Sequence, residues 1–191
     1  MVSSRKKGFT LAELLISVAI LGVIATFTIP KIMVTQQSEA YNAKTRETMG
    51  MISAAFQQAK LNGLVSSNTG PGVITPYINY VSIDTASTID GWPVIAPTQS
   101  CTAGTPCLRL ANGGILQYSP TTIFGGTTTM HFIGWTFDPD FGNSSPGSGV
   151  ALELYYDGMI TTRGQIKINS CWQFGCGIMP SSTYDPSWLK I

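Results

Sequence analysis

Charge is scarce in this chain. Only 11% of its 191 residues are Asp, Glu, Lys or Arg, less than half the share of an ordinary soluble domain. The formal charge is +1, while 43% of residues are hydrophobic. A disordered chain would be polar and strongly charged, so that class is excluded, and the lack of a basic face argues against a nucleic-acid binder. Histidine is scarcer still: His131 stands alone, with no nucleophile elbow and no cluster of titratable groups around which to build a catalytic triad. We therefore assign no catalytic residue. Cysteine is limited to Cys101, Cys107, Cys171 and Cys176, spaced C-x5-C and C-x4-C. The absence of a C-x2-C pair with a ligand histidine argues against zinc.

What is abundant is concentrated at the start. Arg5, Lys6 and Lys7 fall within the first eight positions. They precede an apolar run from Phe9 to Ile29 that only Glu13 breaks. As a helix rising about 1.5 Å per residue, that run spans roughly 30 Å, one hydrocarbon core. A basic cluster ahead of it keeps the N-terminus cytoplasmic. A cleaved signal peptide and an uncleaved single-pass anchor share these features. Neither accounts for Glu13, since a carboxylate at the centre of an apolar helix costs about 2.5–3.5 kcal/mol.

At Gly8-Phe9-Thr10-Leu11-Ala12-Glu13 the sequence resembles the type IV pilin and type II secretion pseudopilin superfamily. The resemblance covers about residues 1–35. It implies that a prepilin peptidase cuts between Gly8 and Phe9 and methylates the new Phe9 amine. It also implies that the apolar helix anchors the subunit in the inner membrane, then packs inside a helical filament of like and related subunits, delivered by inner-membrane assembly machinery to the periplasm or cell surface. Glu13 becomes the fifth residue of the mature chain; its spacing fits pairing with the Phe9 α-amine of its own helix face or of another chain, and the resemblance implies a neighbour's. Opposite charges 4 Å apart attract by about 4 kcal/mol at an effective dielectric near 20, offsetting much of the desolvation cost. Gly22 and Pro30 fall where these pilins carry a helix-loosening Gly and Pro. Simple close packing at Gly22 and an ordinary kink at Pro30 are the alternatives.

Beyond Pro30 the chain reads as an amphipathic helical half over 31–62, with Met49, Ile52, Phe56 and Ala59 recurring at steps of three and four beside Ala55. Asn62-Gly63 is a stop signal. Residues 63–106 read as a variable loop region broken by Pro71, Pro76, Pro93 and Pro97, with at most a short element within Val73–Ile83. Residues 107–191 supply the strands. Asn112-Gly113-Gly114 marks one hairpin and Asp157-Gly158 another, Ile133, Trp135 and Phe137 share a face, and Gln165–Ile168 is a short candidate strand. The predicted fold is α+β and pilin-like: a leader at 1–8, a membrane and assembly helix at 9–30, its amphipathic continuation, and an antiparallel sheet of about four or five strands against it.

All four cysteines lie beyond the membrane segment, where disulfides form. Local pairs, Cys101–Cys107 and Cys171–Cys176, are the simplest of three connectivities, with crossed pairing open. Asp138, Asp140 and Asn143 offer oxygen ligands suited to calcium, which some pseudopilins hold in a C-terminal loop, although Pro139 departs from the usual calcium loop and turn formation explains the same residues. No other cofactor and no nucleic-acid partner is indicated. The tryptophans Trp92, Trp135, Trp172 and Trp188 read as core or interface rather than an adhesive surface. The function this implies is a filament subunit of a type IV pilus. A type II secretion or competence pseudopilin is the alternative, and a membrane-anchored or secreted binding domain that forms no filament is the rival from a different class.

Overall fold

The computed structural model describes residues 9–92, 96–118, 123–124, 132–141, 149–162 and 189. The predicted strand at Gln165–Ile168, Cys171, Cys176, His131, Asn143, Trp172, Trp188, Gly8 and the basic cluster lie outside the described residues. The elements in chain order are α1 (Leu11–Leu61), α2 (Pro71–Ile74), a 3-10 turn (Thr75–Tyr77), β1 (Tyr80–Asp84), β2 (Thr88–Trp92), β3 (Ala96–Ser100), β4 (Cys107–Leu110), β5 (Ile115–Tyr118), β6 (Phe132–Asp138), β7 (Val150–Tyr155) and β8 (Ile160–Thr162). The chain divides into two units, Met1–Glu39 and Ala40–Ile191.

In the first unit α1 is apolar on every side, and its large hydrophobic side chains from Phe9 to Val34 are all exposed. The helix continues through Gly22 and Pro30. Pro30 has no N–H to donate, so the carbonyl four residues back loses its usual partner. Threonine hydroxyls bond to carbonyls in the same stretch, Thr26 to Val23 at 2.7 Å and Thr28 to Ile24 at 3.1 Å. Such bonds compete with the regular ladder and bend helices.

In the second unit α1 turns one face inward. Thr45, Thr48, Ile52, Ala55 and Ala59 are buried at steps of three and four, with Phe56 beside Ala55 on the same face. Thr45 and Thr48 extend the apolar stripe read from the sequence, and the Thr45 hydroxyl returns a hydrogen bond to the Tyr41 carbonyl at 2.8 Å. The helix ends at a Schellman motif. The Leu64 N–H bonds to the Ala59 carbonyl (3.1 Å) and the Gly63 N–H to the Lys60 carbonyl (3.0 Å), with Gly63 at φ 69°. Glycine carries no Cβ penalty in that left-handed conformation.

The sheet has six strands in the order β1-β4-β5-β6-β7-β8, every neighbouring pair antiparallel. β4–β5 and β7–β8 are the hairpins at Asn112-Gly113-Gly114 and Asp157-Gly158. Leu108, Leu116, Ile133, Phe137, Leu152 and Leu154 are fully buried, in one core with Ile52 and Phe56 of α1. Each such side chain contributes about 1.5–3 kcal/mol of burial. Polar ties join helix to loops: Tyr41 donates to Asp140 at 2.7 Å, Lys44 to the Pro139 carbonyl at 2.8 Å, and Asn112 to Thr48 at 3.4 Å.

Residues 63–106 differ from the loop read in the sequence. They hold α2, the 3-10 turn, β1 and a separate two-stranded sheet, β2–β3. Pro71 and Pro76 begin short helical turns, where the missing N–H costs nothing. β1 adds the strand that brings the main sheet to six. β2–β3 lies over the second face of that sheet, with Ile89, Cys101, Cys107 and Ile115 in a smaller core against Phe141. β7 is therefore buried on both sides. Ala151 and Glu153 of the opposite face join Val150, Leu152 and Leu154 in the interior. Gly149 allows the close approach, since its N–H bonds the Gly91 carbonyl at 2.9 Å and a Cβ there would collide with the Asp90 and Gly91 carbonyls.

Candidate functional site

The apolar helix is the first candidate. Phe9 is 83% exposed, and Glu13 is exposed one turn further on, the one formal charge between Phe9 and Pro30. The Glu13 carboxylate takes two hydrogen bonds from Thr10 on the same oxygen, Oε2, from the N–H at 2.8 Å and from the hydroxyl at 2.9 Å. The Thr10 oxygen in turn accepts the Glu13 N–H at 3.3 Å, and Ser17 bonds back to the Glu13 carbonyl at 2.7 Å. This is a capping box, in which two helix-end donors are satisfied reciprocally. Its signal, Thr followed three residues later by Glu ahead of an apolar run, stands in the sequence at Thr10-Leu11-Ala12-Glu13. Glu13 thus sits at the positive end of the helix dipole, where an anion is favoured. Apart from Thr10 and Ser17, the side chains of the neighbouring turns are apolar.

The second candidate lies in the other unit. Asp138 and Asp140 come together as the sequence suggested, and Asp90 of β2, which fell in the supposed loop, joins them. One oxygen from each lies within 4.8 Å of the others. This is the group among the described residues with the hard-oxygen donors a cation such as calcium prefers. Its visible work is structural. Asp138 is fully buried, and its carboxylate accepts the N–H groups of Asp90 (2.9 Å), Asp140 (3.0 Å) and Phe141 (3.1 Å). It clips β2 to the turn after β6. Burial pushes the Asp138 carboxyl up to about 6, the adjacent Asp140 carboxyl adds to the rise, and the N–H bonds pull against it.

Nearby, hydrogen bonds from the Ala86 N–H, the Ser87 hydroxyl, the Arg109 guanidinium and the Ser87 N–H hold the Asp84 carboxyl well below the usual carboxylate range. Arg109 also lies over the Phe141 ring, 3.9 Å from its centroid. Burial raises the Tyr155 hydroxyl, and the Glu153 charge beside it adds to the rise. Among the described residues these groups serve to tie neighbouring segments together. Cys101 and Cys107 are disulfide-bonded, which excludes the crossed connectivities. Trp135 is in the main core, edge-on to Tyr118 with ring centroids 5.5 Å apart.

Residues 3–29 match the family model described as the prokaryotic N-terminal methylation motif. The N-terminus carries a prepilin-type leader. This match supports a precursor of the type IV pilin or pseudopilin kind, and the prepilin motif ends where the helix meets Pro30. It points to a structural subunit rather than an enzyme. No curated protein and no solved structure is significantly similar to the chain. The head therefore rests on its own architecture, a helix on an antiparallel sheet, which is pilin-like.

Proposed function

We infer that this chain is a structural subunit of a type IV pilus-like filament. It is made as a prepilin, cut after Gly8, N-methylated at Phe9 and polymerised through α1. The observation that carries the reading is the prepilin motif lying on a helix whose apolar side chains from Phe9 to Val34 have no cover of their own. Such a surface needs an apolar solvent. The bilayer supplies it first, with Arg5, Lys6 and Lys7 holding the leader on the cytoplasmic side. Neighbouring subunits' helices supply it afterwards. Exchanging lipid for helix changes the apolar environment little, so packing and the single carboxylate decide register. Glu13, paired with the α-amine freed at a neighbour's Phe9, sets that register. Partners on this reading are the prepilin peptidase, inner-membrane assembly machinery and other pilin subunits.

Intact-mass and N-terminal analysis of the protein from its native membrane tests the reading. A chain beginning at N-methylated Phe9 supports it. A chain beginning near Thr26, as after signal peptidase, or retaining Met1, refutes it and favours an anchored or secreted domain.

A further inference from the structure

The capping box at the head of α1 has geometry that simple pairing of Glu13 does not call for. Both Thr10 donors converge on Oε2, while Oε1 takes no hydrogen bond among the described residues. The box uses only atoms of Thr10 and Glu13, so a cut after Gly8 leaves it whole. We propose that Thr10 is the positioning residue for Glu13, holding the carboxylate over the first turn with Oε1 open to the α-amine of a docking subunit. The proposal rests on the filament reading above.

The physical case has three parts. A free glutamate side chain surrenders rotamer freedom when it pairs, whereas a capped one has already surrendered it. Hydrocarbon supplies no water for a carboxylate's lone pairs, so an internal hydroxyl must take that place. And a carboxylate held at the helix N-terminus keeps the favourable dipole while it waits. The Thr10 hydroxyl therefore does two separable things: it caps the Glu13 N–H, and it adds a second donor on Oε2 beside the backbone N–H.

Three full-length variants separate them. Thr10→Ser keeps both functions. Thr10→Asp keeps the cap but loses the hydroxyl donor, leaving the backbone N–H alone on Oε2, and it repels Glu13. Thr10→Val keeps the shape and has neither hydroxyl function. Each is expressed with the assembly machinery, cleavage is scored by intact mass, and incorporation is measured in sheared filaments. We expect Ser to match wild type, and Asp and Val to be cleaved normally but incorporated about five-fold less or worse, the factor an N-cap loss carries. Asp matching Ser would reduce Thr10 to a plain helix cap and overturn the proposal. Val matching wild type, or an uncleaved Val precursor that moves the defect to the peptidase, would overturn it as well. Amide exchange at residue 10 in the full-length chain in micelles is read independently of assembly. Protection in wild type that falls in Glu13→Ala supports the proposal, and equal exchange in both overturns it. Wild type that is itself neither cut nor incorporated refutes the filament reading instead, and the exchange measurement then decides the cap alone.

Discussion

Raising the pH from 4.5 to 7.5 should weaken the folded head, because of Asp138. Its carboxyl stands at about 6 in the fold against an ordinary 3.8. Between those values the folded state holds a proton that the unfolded state has lost. Stability is thus fully present below 3.8 and is lost as pH rises through about 6. The displacement corresponds to about 3 kcal/mol at most, since one pKa unit is about 1.4 kcal/mol and Asp140 shares in the titration. That is a large share of the roughly 5–15 kcal/mol typical of a folded domain. Asp84 has the opposite sign. Its carboxyl is depressed, so its contribution is present above 3.8 and fades only as pH falls below that value. The two windows do not overlap. The measurement is urea unfolding of the full chain in micelles, followed by tryptophan fluorescence at fixed ionic strength. A chelator is needed in every buffer, because a cation among Asp90, Asp138 and Asp140 would favour the ionised form and reverse the sign. Asp138→Asn should flatten the profile between pH 4.5 and 7.5. A wild type as stable at 7.5 as at 4.5, with an Asn variant tracking it, would refute the reasoning.

Other consequences are more direct. Phe56→Ala removes a fully buried ring that meets Phe124 edge-on at 5.7 Å, and should cost about 3–5 kcal/mol in a denaturant titration; a loss under about 1 kcal/mol would mean α1 does not share the sheet's core. Replacing Cys101 and Cys107 by serine opens a loop whose ends are 6 residues apart, and chain entropy puts the loss at about 2 kcal/mol. The same melts, with and without reductant, check this in wild type. Gly149→Ala should destabilise by more than about 1 kcal/mol through the Asp90 and Gly91 carbonyls, and an unchanged midpoint would deny the close approach of β2 to β7. Glu13→Ala should leave the melt of the head unchanged while abolishing filament incorporation, and normal incorporation would remove Glu13 from the assembly role.

What the sequence made legible was local. The apolar run, the basic residues ahead of it and the Gly8-to-Glu13 motif occupy neighbouring positions, and the hairpin glycines sit beside the strands they join. Ile52, Phe56, Ile133 and Phe137 announced themselves by spacing. β2 and β3 did not, because little within Thr88–Ser100 alternates. Their stability comes from far away, through the Asp90 N–H on Asp138, 48 residues on, and the disulfide. Asp138 drew notice as a possible calcium ligand for its chemistry, while its role as a backbone clip depends on a strand that only the fold brings to it. Glu153 is buried for a similarly distant reason, since β2–β3 lies over the second face of the sheet.

The disulfide also bears on how this protein meets proteases. Thr102, Ala103 and Gly104 are exposed within the short loop it closes, and exposed loop tips of small and polar residues are where nicking concentrates. A cut there leaves the two fragments covalently joined. A nicked head would keep its β2–β3 cover, run as one species on a non-reducing gel, and separate into two only after reduction.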